Sequence, residues 1–188
     1  ALFVTGDYTD EDKFYDRTIT NYDDYDSEGV MAKLLQCSAS SSGYMFPLEV
    51  VPNLVCTSPF GSRILRGSPN NHSGLDVGGV PDGTPIYAGK AGVVVATSSD
   101  VLVNGTGSGC GNMVKIKHED GYHTVYCHMY PNSVSVNVGD EVSQGQKIGE
   151  VGNTGNSTGT HLHIGVLDPS GSYIDPTTVF DLSILGDK

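Results

Sequence analysis

Between Tyr44 and Lys188, apolar residues occur in short runs, each interrupted by glycine or by a small polar residue. Runs such as "PIYAG", "GVVVAT", "MVKIKH" and "HTVYCH" are rich in β-branched and aromatic residues and are too short for helices. The chain's 25 glycines supply many of the turns between them. This pattern predicts an all-β domain over residues 44–188, with a glycine-rich antiparallel β-sandwich or barrel-like fold.

Two segments of this region resemble each other, at residues 82–100 and 138–155. Each places a glycine-containing turn and a short apolar run before a second short strand. Such hairpin-rich halves are typical of lipoyl and biotinyl carrier domains, whose sheets fold on themselves. Ordinary turn chemistry would produce the same similarity, so both interpretations stay open.

The first 43 residues differ in composition from the rest. They contain nine acidic and three basic residues, a net charge of −6 that is half of the chain's −12. The stretch "YDSEGVMAKLLQC" predicts a short helix, and the serine-rich stretch after it predicts a linker. We therefore expect residues 1–43 to form an acidic, partly helical extension. The acidic balance argues against a nucleic-acid partner, because phosphates would repel the chain.

The chain begins at Ala1 and shows neither a signal peptide nor an apolar run of the roughly 18 residues that cross a bilayer. We therefore expect no transmembrane segment in this chain. It reads as a mature product or as a piece of a larger parent that carries its own targeting or anchoring elements.

The four cysteines allow three pairings. Cys110 and Cys127 flank two strand-like runs around a "HEDG" turn, and antiparallel pairing would bring them together. We predict a Cys110–Cys127 disulfide and a second one between Cys37 and Cys56, with four reduced thiols as the alternative. Disulfides would place the protein outside the cytoplasm.

The stretch "TGTHLHIGV" places two histidines on either side of a leucine. Side chains alternate between the faces of a strand, so Leu162, Ile164 and Val166 would pack inward. His161 and His163 would then project side by side into a groove.

Two further segments carry groups that bind metals or transfer protons. In "NHSGLDVGG", His72 and Asp76 stand four residues apart, which returns both to one face, and imidazole and carboxylate are ligands of catalytic zinc. In "YCHMY", His128 is expected at a strand end, on the same face as Tyr126. His118, in contrast, is expected to be a solvated residue of the "KHEDG" turn.

These motifs follow one another in a fixed order: "TSPFGSR", "NHSGLDVGG", "GTPIYAGKAGVVVAT", "GCGNMVKIKHEDGYHTVYCHM", "VNVGDEVSQGQKIGEVGNTGNSTGTHLHIGV" and "DPTTVF". Element by element, they resemble the lysostaphin-like zinc metallopeptidases, which cut peptidoglycan cross-bridges or stem peptides. The resemblance runs from about residue 46 to residue 180. Relatives usually carry other residues at Cys110 and Cys127, so a cross-link there would be an addition beside His128.

The resemblance implies that His72, Asp76 and His163 bind one Zn²⁺ and that His128 and His161 are non-ligand active-site histidines. Either of these two could take a proton from water, and the loop "GNTGNSTGT" would line a groove for a peptide. The implied protein is a zinc-dependent endopeptidase, expected to be a monomer, that acts on peptidoglycan peptides in the extracellular space or at the cell wall.

Two other functions fit parts of the same pattern. The first is a catalytically inactive relative that binds the wall and regulates other hydrolases. The second is a phosphoryl carrier, because the glucose-specific component of the bacterial sugar phosphotransferase system has a related sandwich with two active-site histidines. All five site residues are present, which favours the enzyme.

Overall fold

The computed structural model describes residues 42–65, 67–183 and 185. Within them it contains 12 strands and one 3₁₀ helix at Pro176–Thr178. The strands are β1 (Val55–Ser58), β2 (Gly61–Leu65), β3 (Ser68–His72), β4 (Gly74–Gly78), β5 (Pro85–Tyr87), β6 (Gly92–Ser98), β7 (Asn112–His118), β8 (His123–Met129), β9 (Glu141–Val142), β10 (Lys147–Glu150), β11 (Leu162–Leu167) and β12 (Tyr173–Ile174). In this part of the chain, no helix has the length and hydropathy needed to cross a membrane. The helix predicted within residues 25–37 lies outside the described residues, as does the acidic extension up to residue 41, and both stay predictions.

Most of the strands form one sheet in the order β1-β4-β11-β8-β7-β6-β9, and β12 pairs with β11. Two smaller sheets consist of β10 with β5 and of β2 with β3. Every pair is antiparallel. The predicted all-β antiparallel class is confirmed.

The large sheet and the β5–β10 pair share one hydrophobic core. Val114 and Ile164 of the large sheet belong to the same buried cluster as Ile86 of β5 and Ile148 of β10, and all four are 0% exposed. Burying an aliphatic side chain of this size contributes about 1.5–3 kcal/mol. This core fixes one face of the large sheet and leaves the other face available for a site.

The two similar segments, 82–100 and 138–155, pair with each other. β5 of the first segment pairs with β10 of the second, and β6 of the first pairs with β9 of the second. The first strand of each segment therefore lies against the second strand of the other. The comparison with carrier-domain halves stays a prediction.

His118 is not the solvated turn residue that its "KHEDG" context predicts. β7 continues through it, and its side chain is only 2% exposed. Its Nδ1–H donates to the carbonyl of Ala91 at 2.9 Å, and its Nε2 accepts from the Thr124 hydroxyl at 2.8 Å. Burial lowers its pKa below the ordinary histidine value. The prediction of a solvated turn residue is wrong because His118 lies on the buried face of β7, where both of its ring nitrogens have hydrogen-bond partners.

The predicted disulfide between Cys110 and Cys127 is confirmed, with their Cα atoms 5.0 Å apart. It ties the loop before β7 to β8. Cys37 lies outside the described residues, so its pairing with Cys56 stays a prediction.

Candidate active site

A row of four residues crosses the large sheet at the floor of an open cleft of about 820 Å³. Ser58 of β1 pairs with Asp76 of β4, which pairs with His163 of β11, which in turn pairs with Cys127 of β8. Residues paired across neighbouring strands have Cβ atoms roughly 4.5–5.5 Å apart, so a row brings distant parts of the sequence within contact. The predicted alternation of β11 is confirmed, because Leu162, Ile164 and Val166 are 0% exposed while His163 lines the cleft.

Three of the predicted site residues point donor atoms at one spot. His163 Nδ1 lies 2.9 Å from Asp76 Oδ1 and 3.0 Å from His72 Nε2, and His72 Nε2 lies 3.1 Å from Asp76 Oδ1. Tetrahedral zinc with bonds of about 2.0–2.1 Å would space its ligand atoms about 3.3 Å apart. These three atoms form the donor triangle, which has the donor types and about the spacing that such a metal requires. His72, Asp76 and His163 therefore form a site that could hold a metal ion.

The tautomer of His72 suits this role. Its ring is 4% exposed, and its Nδ1 lies 2.8 Å from the carbonyl oxygen of Pro59. A carbonyl oxygen can only accept, so Nδ1 carries the hydrogen and Nε2 presents its lone pair to the triangle. A partner of this kind on the far nitrogen is a common feature of metal-binding histidines.

The His163 ring fits because position 74 has no side chain. A Cβ atom added to Gly74 would lie 2.6 Å from Cε1 and Nε2 of His163 and would collide with the carbonyl oxygen of Ile164. Gly74 pairs with Gly165 on β11, so the imidazole lies over backbone rather than against a neighbouring side chain. A glycine at position 74 therefore leaves the space that the His163 ring occupies.

Asp76 is the one carboxylate among the five predicted site residues. Burial raises the pKa of Asp76, but the close imidazoles of His163, His72 and His161 outweigh it by stabilising the carboxylate when they are protonated, so this pKa lies well below the ordinary value. Its second oxygen, Oδ2, lies 3.3 Å from Nη1 of Arg63. The carboxylate thus directs Oδ1 to the histidines and Oδ2 to the arginine.

His128 reaches the cleft through a β-bulge. Asn112 pairs with Met129 and Val114 pairs with Tyr126, so two residues of β8 oppose one residue of β7. His128 has a φ of 62°, which costs a non-glycine residue about 1 kcal/mol or more. The prediction that His128 shares a face with Tyr126 is wrong: Tyr126 lies in the core, whereas the bulge turns His128 into the cleft.

His161 lies beside His128, with 4.7 Å between their ring centroids. Its Nδ1 is 2.8 Å from the carbonyl oxygen of Gly159, so Nδ1 carries the hydrogen and Nε2 keeps its lone pair. That Nε2 lies 3.6 Å from Asp76 Oδ1, at the edge of the donor triangle.

The His128 ring is held in the same way. Its Nδ1–H donates to the carbonyl of Thr154 at 2.7 Å, and its ring centroid lies 5.9 Å from that of His163. Burial, reinforced by the neighbouring charge of His161, lowers the pKa of His128 to about 4. His128 is therefore neutral near pH 7, with Nε2 free to accept a proton.

The structure brings all five predicted site residues together, and it adds others that the sequence did not single out. The carbonyl groups of Pro59, Thr154 and Gly159 orient three of the imidazoles, and Arg63 contacts Asp76. Arg63 is the one cationic residue in "TSPFGSR", which is the signal that could have identified it. Main-chain carbonyl groups leave no such signal in the residue types.

Of the loop predicted to line the groove, residues 156–160 line the cleft. Arg63 and Ile64 of β2 also line it. The cleft is therefore lined by small polar residues of this loop and by part of the β2–β3 pair.

Comparison with known families gives the context of this geometry. Residues 70–176, more than half of the chain, match the model of peptidase family M23, and this range includes all five predicted site residues. The chain belongs to peptidase family M23. The lysostaphin-like family resemblance of the sequence is thereby confirmed.

Individual M23 relatives agree with this assignment. The chain is 42% identical over 92 residues to the peptidoglycan DD-endopeptidase ShyA of Vibrio cholerae, a match that covers 49% of this chain and 19% of ShyA. Among solved structures, the catalytic domain of lysostaphin from Staphylococcus simulans matches with 30% identity and a TM-score of 0.54, over 69% of this chain and 97% of that one. A zinc-containing peptidase from Vibrio cholerae matches with 27% identity and a TM-score of 0.54, over 73% of this chain and 44% of that one. The chain thus matches about a fifth of the length of ShyA and nearly all of the lysostaphin catalytic domain.

Proposed function

We propose that this chain is a zinc-dependent endopeptidase that cleaves peptide bonds in peptidoglycan cross-bridges or stem peptides. The observation that carries the proposal is the convergence of five side chains at the floor of one cleft. Three of them place donor atoms 2.9–3.1 Å apart, and the other two are histidines whose Nδ1 atoms are bonded to carbonyl groups.

Zinc suits the three donors, which we assign as His72, Asp76 and His163. Two imidazoles and a carboxylate leave a coordination position for water or substrate, as in catalytic zinc sites. When bound, the metal would act as a Lewis acid that polarises the scissile carbonyl and makes water more acidic. The solved zinc-containing peptidase from Vibrio cholerae supports this choice of metal.

His128 and His161 supply the proton transfers in this proposal. Each has an Nδ1–H bonded to a backbone carbonyl and an Nε2 lone pair that is able to accept a proton from the attacking water. After accepting it, the same nitrogen is able to protonate the leaving amine or to donate a hydrogen bond to the developing oxyanion. The two rings lie side by side, so one can serve each role.

The substrate class follows from the cleft and from the relatives. The cleft is open, and its wall at residues 156–160 offers hydroxyl, amide and backbone groups that suit an extended peptide. ShyA is named as a peptidoglycan DD-endopeptidase, and lysostaphin is named as an antimicrobial peptidase. Both names support cleavage of a peptide bond, and that of ShyA supports a peptide of peptidoglycan.

A location in the cell envelope or outside the cell suits this function. The Cys110–Cys127 disulfide supports it, because disulfides persist in oxidising compartments. We infer that the domain acts as a monomer, alone or as part of a larger, anchored parent.

The test combines metal content with cleavage. The purified protein, treated with zinc and then dialysed, should hold about one zinc per chain and should convert defined cross-linked muropeptides into products whose masses show hydrolysis. Asp76→Ala, the matched control, should lose both properties. A wild-type protein that binds zinc and leaves every muropeptide intact would favour the inactive, regulatory relative, and one that binds no zinc would reject the proposal.

A further inference from the structure

The disulfide lies beside the residue with the least favourable backbone conformation in the site. His128 is in a β-bulge and has a φ of 62°, whereas strict alternation would turn its side chain to the core. A non-glycine residue keeps such a conformation only where its surroundings hold it. The contacts around His128 therefore decide where its Nε2 points.

Cys110 supplies two of these contacts. Its carbonyl oxygen accepts a hydrogen bond from the backbone N–H of His128 at 2.8 Å. Its side chain forms the disulfide with Cys127, the residue immediately before His128. Cys110 stands between Gly109 and Gly111, which have φ values of 56° and 61°, so its own loop has little intrinsic preference for the place of that carbonyl. The loop is also held to residues 154–156, because the Asn156 N–H donates to the Gly109 carbonyl at 2.9 Å. The cross-link adds a covalent tie from Cys110 itself to β8.

The ring of His128 has a separate support. The carbonyl oxygen of Thr154 accepts a hydrogen bond from the His128 Nδ1–H at 2.7 Å. The Thr154 hydroxyl donates to the carbonyl of Met129 at 2.7 Å. The backbone N–H of Asn112 donates to the same hydroxyl at 3.0 Å. Thr154 therefore orients the imidazole, while Cys110 holds the backbone from which the imidazole extends.

We propose that the Cys110–Cys127 disulfide is a positioning element for His128. Without it, the Cys110 carbonyl leaves the His128 N–H, the bulge relaxes toward negative φ, and Nε2 turns away from the donor triangle. The consequence for turnover rests on the proposed function, whereas the consequence for the His128 backbone does not.

The first readout is amide hydrogen exchange measured by NMR on the full chain without metal. In the Cys110→Ala/Cys127→Ala double variant, the His128 amide should exchange about tenfold faster or more, because its acceptor is released. The buried Thr124 amide, in the same strand but away from the bulge, reports the general loss of stability that removal of a cross-link causes. The His128 amide should therefore accelerate about tenfold more than the Thr124 amide. An acceleration at His128 no greater than that at Thr124 overturns the proposal, whatever the activity.

The second readout is kinetic and uses muropeptides with the zinc-loaded protein. The double variant should keep its zinc and its KM, while kcat falls roughly 10- to 100-fold, the effect of a displaced catalytic group. Tyr44→Phe is the control for a merely structural loss: it removes hydrogen bonds to Asp120, and neither residue lines the cleft. It should lower Tm and leave kcat and His128 exchange unchanged. An equal loss of kcat in both variants overturns the proposal.

Reduction of the wild type covers the case in which the double variant does not fold. A dithiol reagent becomes its cyclic disulfide while the protein disulfide takes up two electrons and two protons as two thiols. An acceleration of His128 exchange beyond that of Thr124, reversed on reoxidation, supports the positioning role, and equal acceleration of the two amides overturns it. This exchange result supports the positioning role even if the oxidised protein cleaves no muropeptide. The absence of cleavage would count against the proposed function only.

Discussion

Asp76 and His163 face each other across the β4–β11 pair, with Oδ1 and Nδ1 2.9 Å apart. They are neighbours in the row that crosses the sheet, and both contribute to the donor triangle. Replacing His163, His72 or Asp76 by Ala leaves two protein donors, so each variant should lose zinc and activity together. Zinc per chain and cleavage rate, measured on the same samples, check this. A His163→Ala protein that keeps its zinc would contradict it.

His161→Ala and His128→Ala should behave differently from the ligand variants. Both residues use Nδ1 on backbone carbonyls and lie outside the triangle, so zinc occupancy should stay near that of the wild type. Their loss should reduce turnover roughly 10²–10⁴-fold, as expected for acid–base or oxyanion groups. If His161→Ala strips the metal while His163→Ala retains it, the roles of the two histidines are reversed.

Arg63 should tune the metal affinity through Asp76. Its Nη1 lies 3.3 Å from Oδ2 of Asp76 and 2.5 Å from the Ser58 hydroxyl, so it fixes the orientation of the carboxylate. Arg63→Met should weaken zinc binding about 10- to 100-fold, the usual effect of losing a partner of a ligand. Competition with a chelator measures this. Lys90→Met is the control, because it removes another paired cation that does not line the cleft, and it should leave the zinc affinity unchanged.

Gly74→Ala should damage the site and the fold together. The added Cβ would lie 2.6 Å from the His163 ring, and overpacking of this kind costs about 1–3 kcal/mol. Urea unfolding of the metal-free protein should show a lower free energy of unfolding, and a chelator competition should show weaker zinc binding. Gly159→Ala is the matched control, because a Cβ atom there meets nothing within 4 Å. Equal effects of the two substitutions would contradict the packing argument.

Acid should destabilise the metal-free protein partly through His128. Its pKa is about 4 in the folded state against an ordinary 6.5, so the unfolded state binds the proton more readily. The contribution of neutral His128 to the free energy of unfolding is complete above pH 6.5. It is lost as the pH falls from 6.5 to 4, and the loss amounts to about 3 kcal/mol. His128→Asn, which tolerates a left-handed backbone, should remove this part of the pH dependence. Asp76, whose pKa is lowered, adds a further loss below its ordinary value of 3.8. Identical pH profiles of denaturation for wild type and His128→Asn would refute the assignment.

The sequence predicted most of what depends on local pattern. Alternation in "HLHIGV" correctly separated core from cleft, because a strand with one buried face must keep its period of two. The antiparallel approach of Cys110 and Cys127 followed from two strand-like runs around a short turn. The five site residues came from the resemblance, and their convergence depends on a register of distant strands that no local pattern contains.

The features that escaped prediction depend on backbone conformation. A positive φ at His128 has no signal in the residue type, since glycine is the usual occupant of that region. The alternation rule therefore placed it on the wrong face. His118 was misassigned because its neighbours in sequence form a turn while its own ring belongs to the core. Arg63 was visible as a cation, but its partner became clear only from the β1–β4 pairing.

The anchoring of the imidazoles by Pro59, Thr154 and Gly159 has a consequence for engineering. A main-chain oxygen is present whichever side chain a residue carries, so these anchors tolerate substitution at their own positions better than a side-chain partner would. They depend instead on the path and length of the segments that carry them, because one inserted or deleted residue displaces every carbonyl that follows. Redesign of this cleft for a new peptide should therefore keep the lengths of its loops and vary only side chains that make no contact of their own, which leaves out Thr154 and the positive-φ glycines.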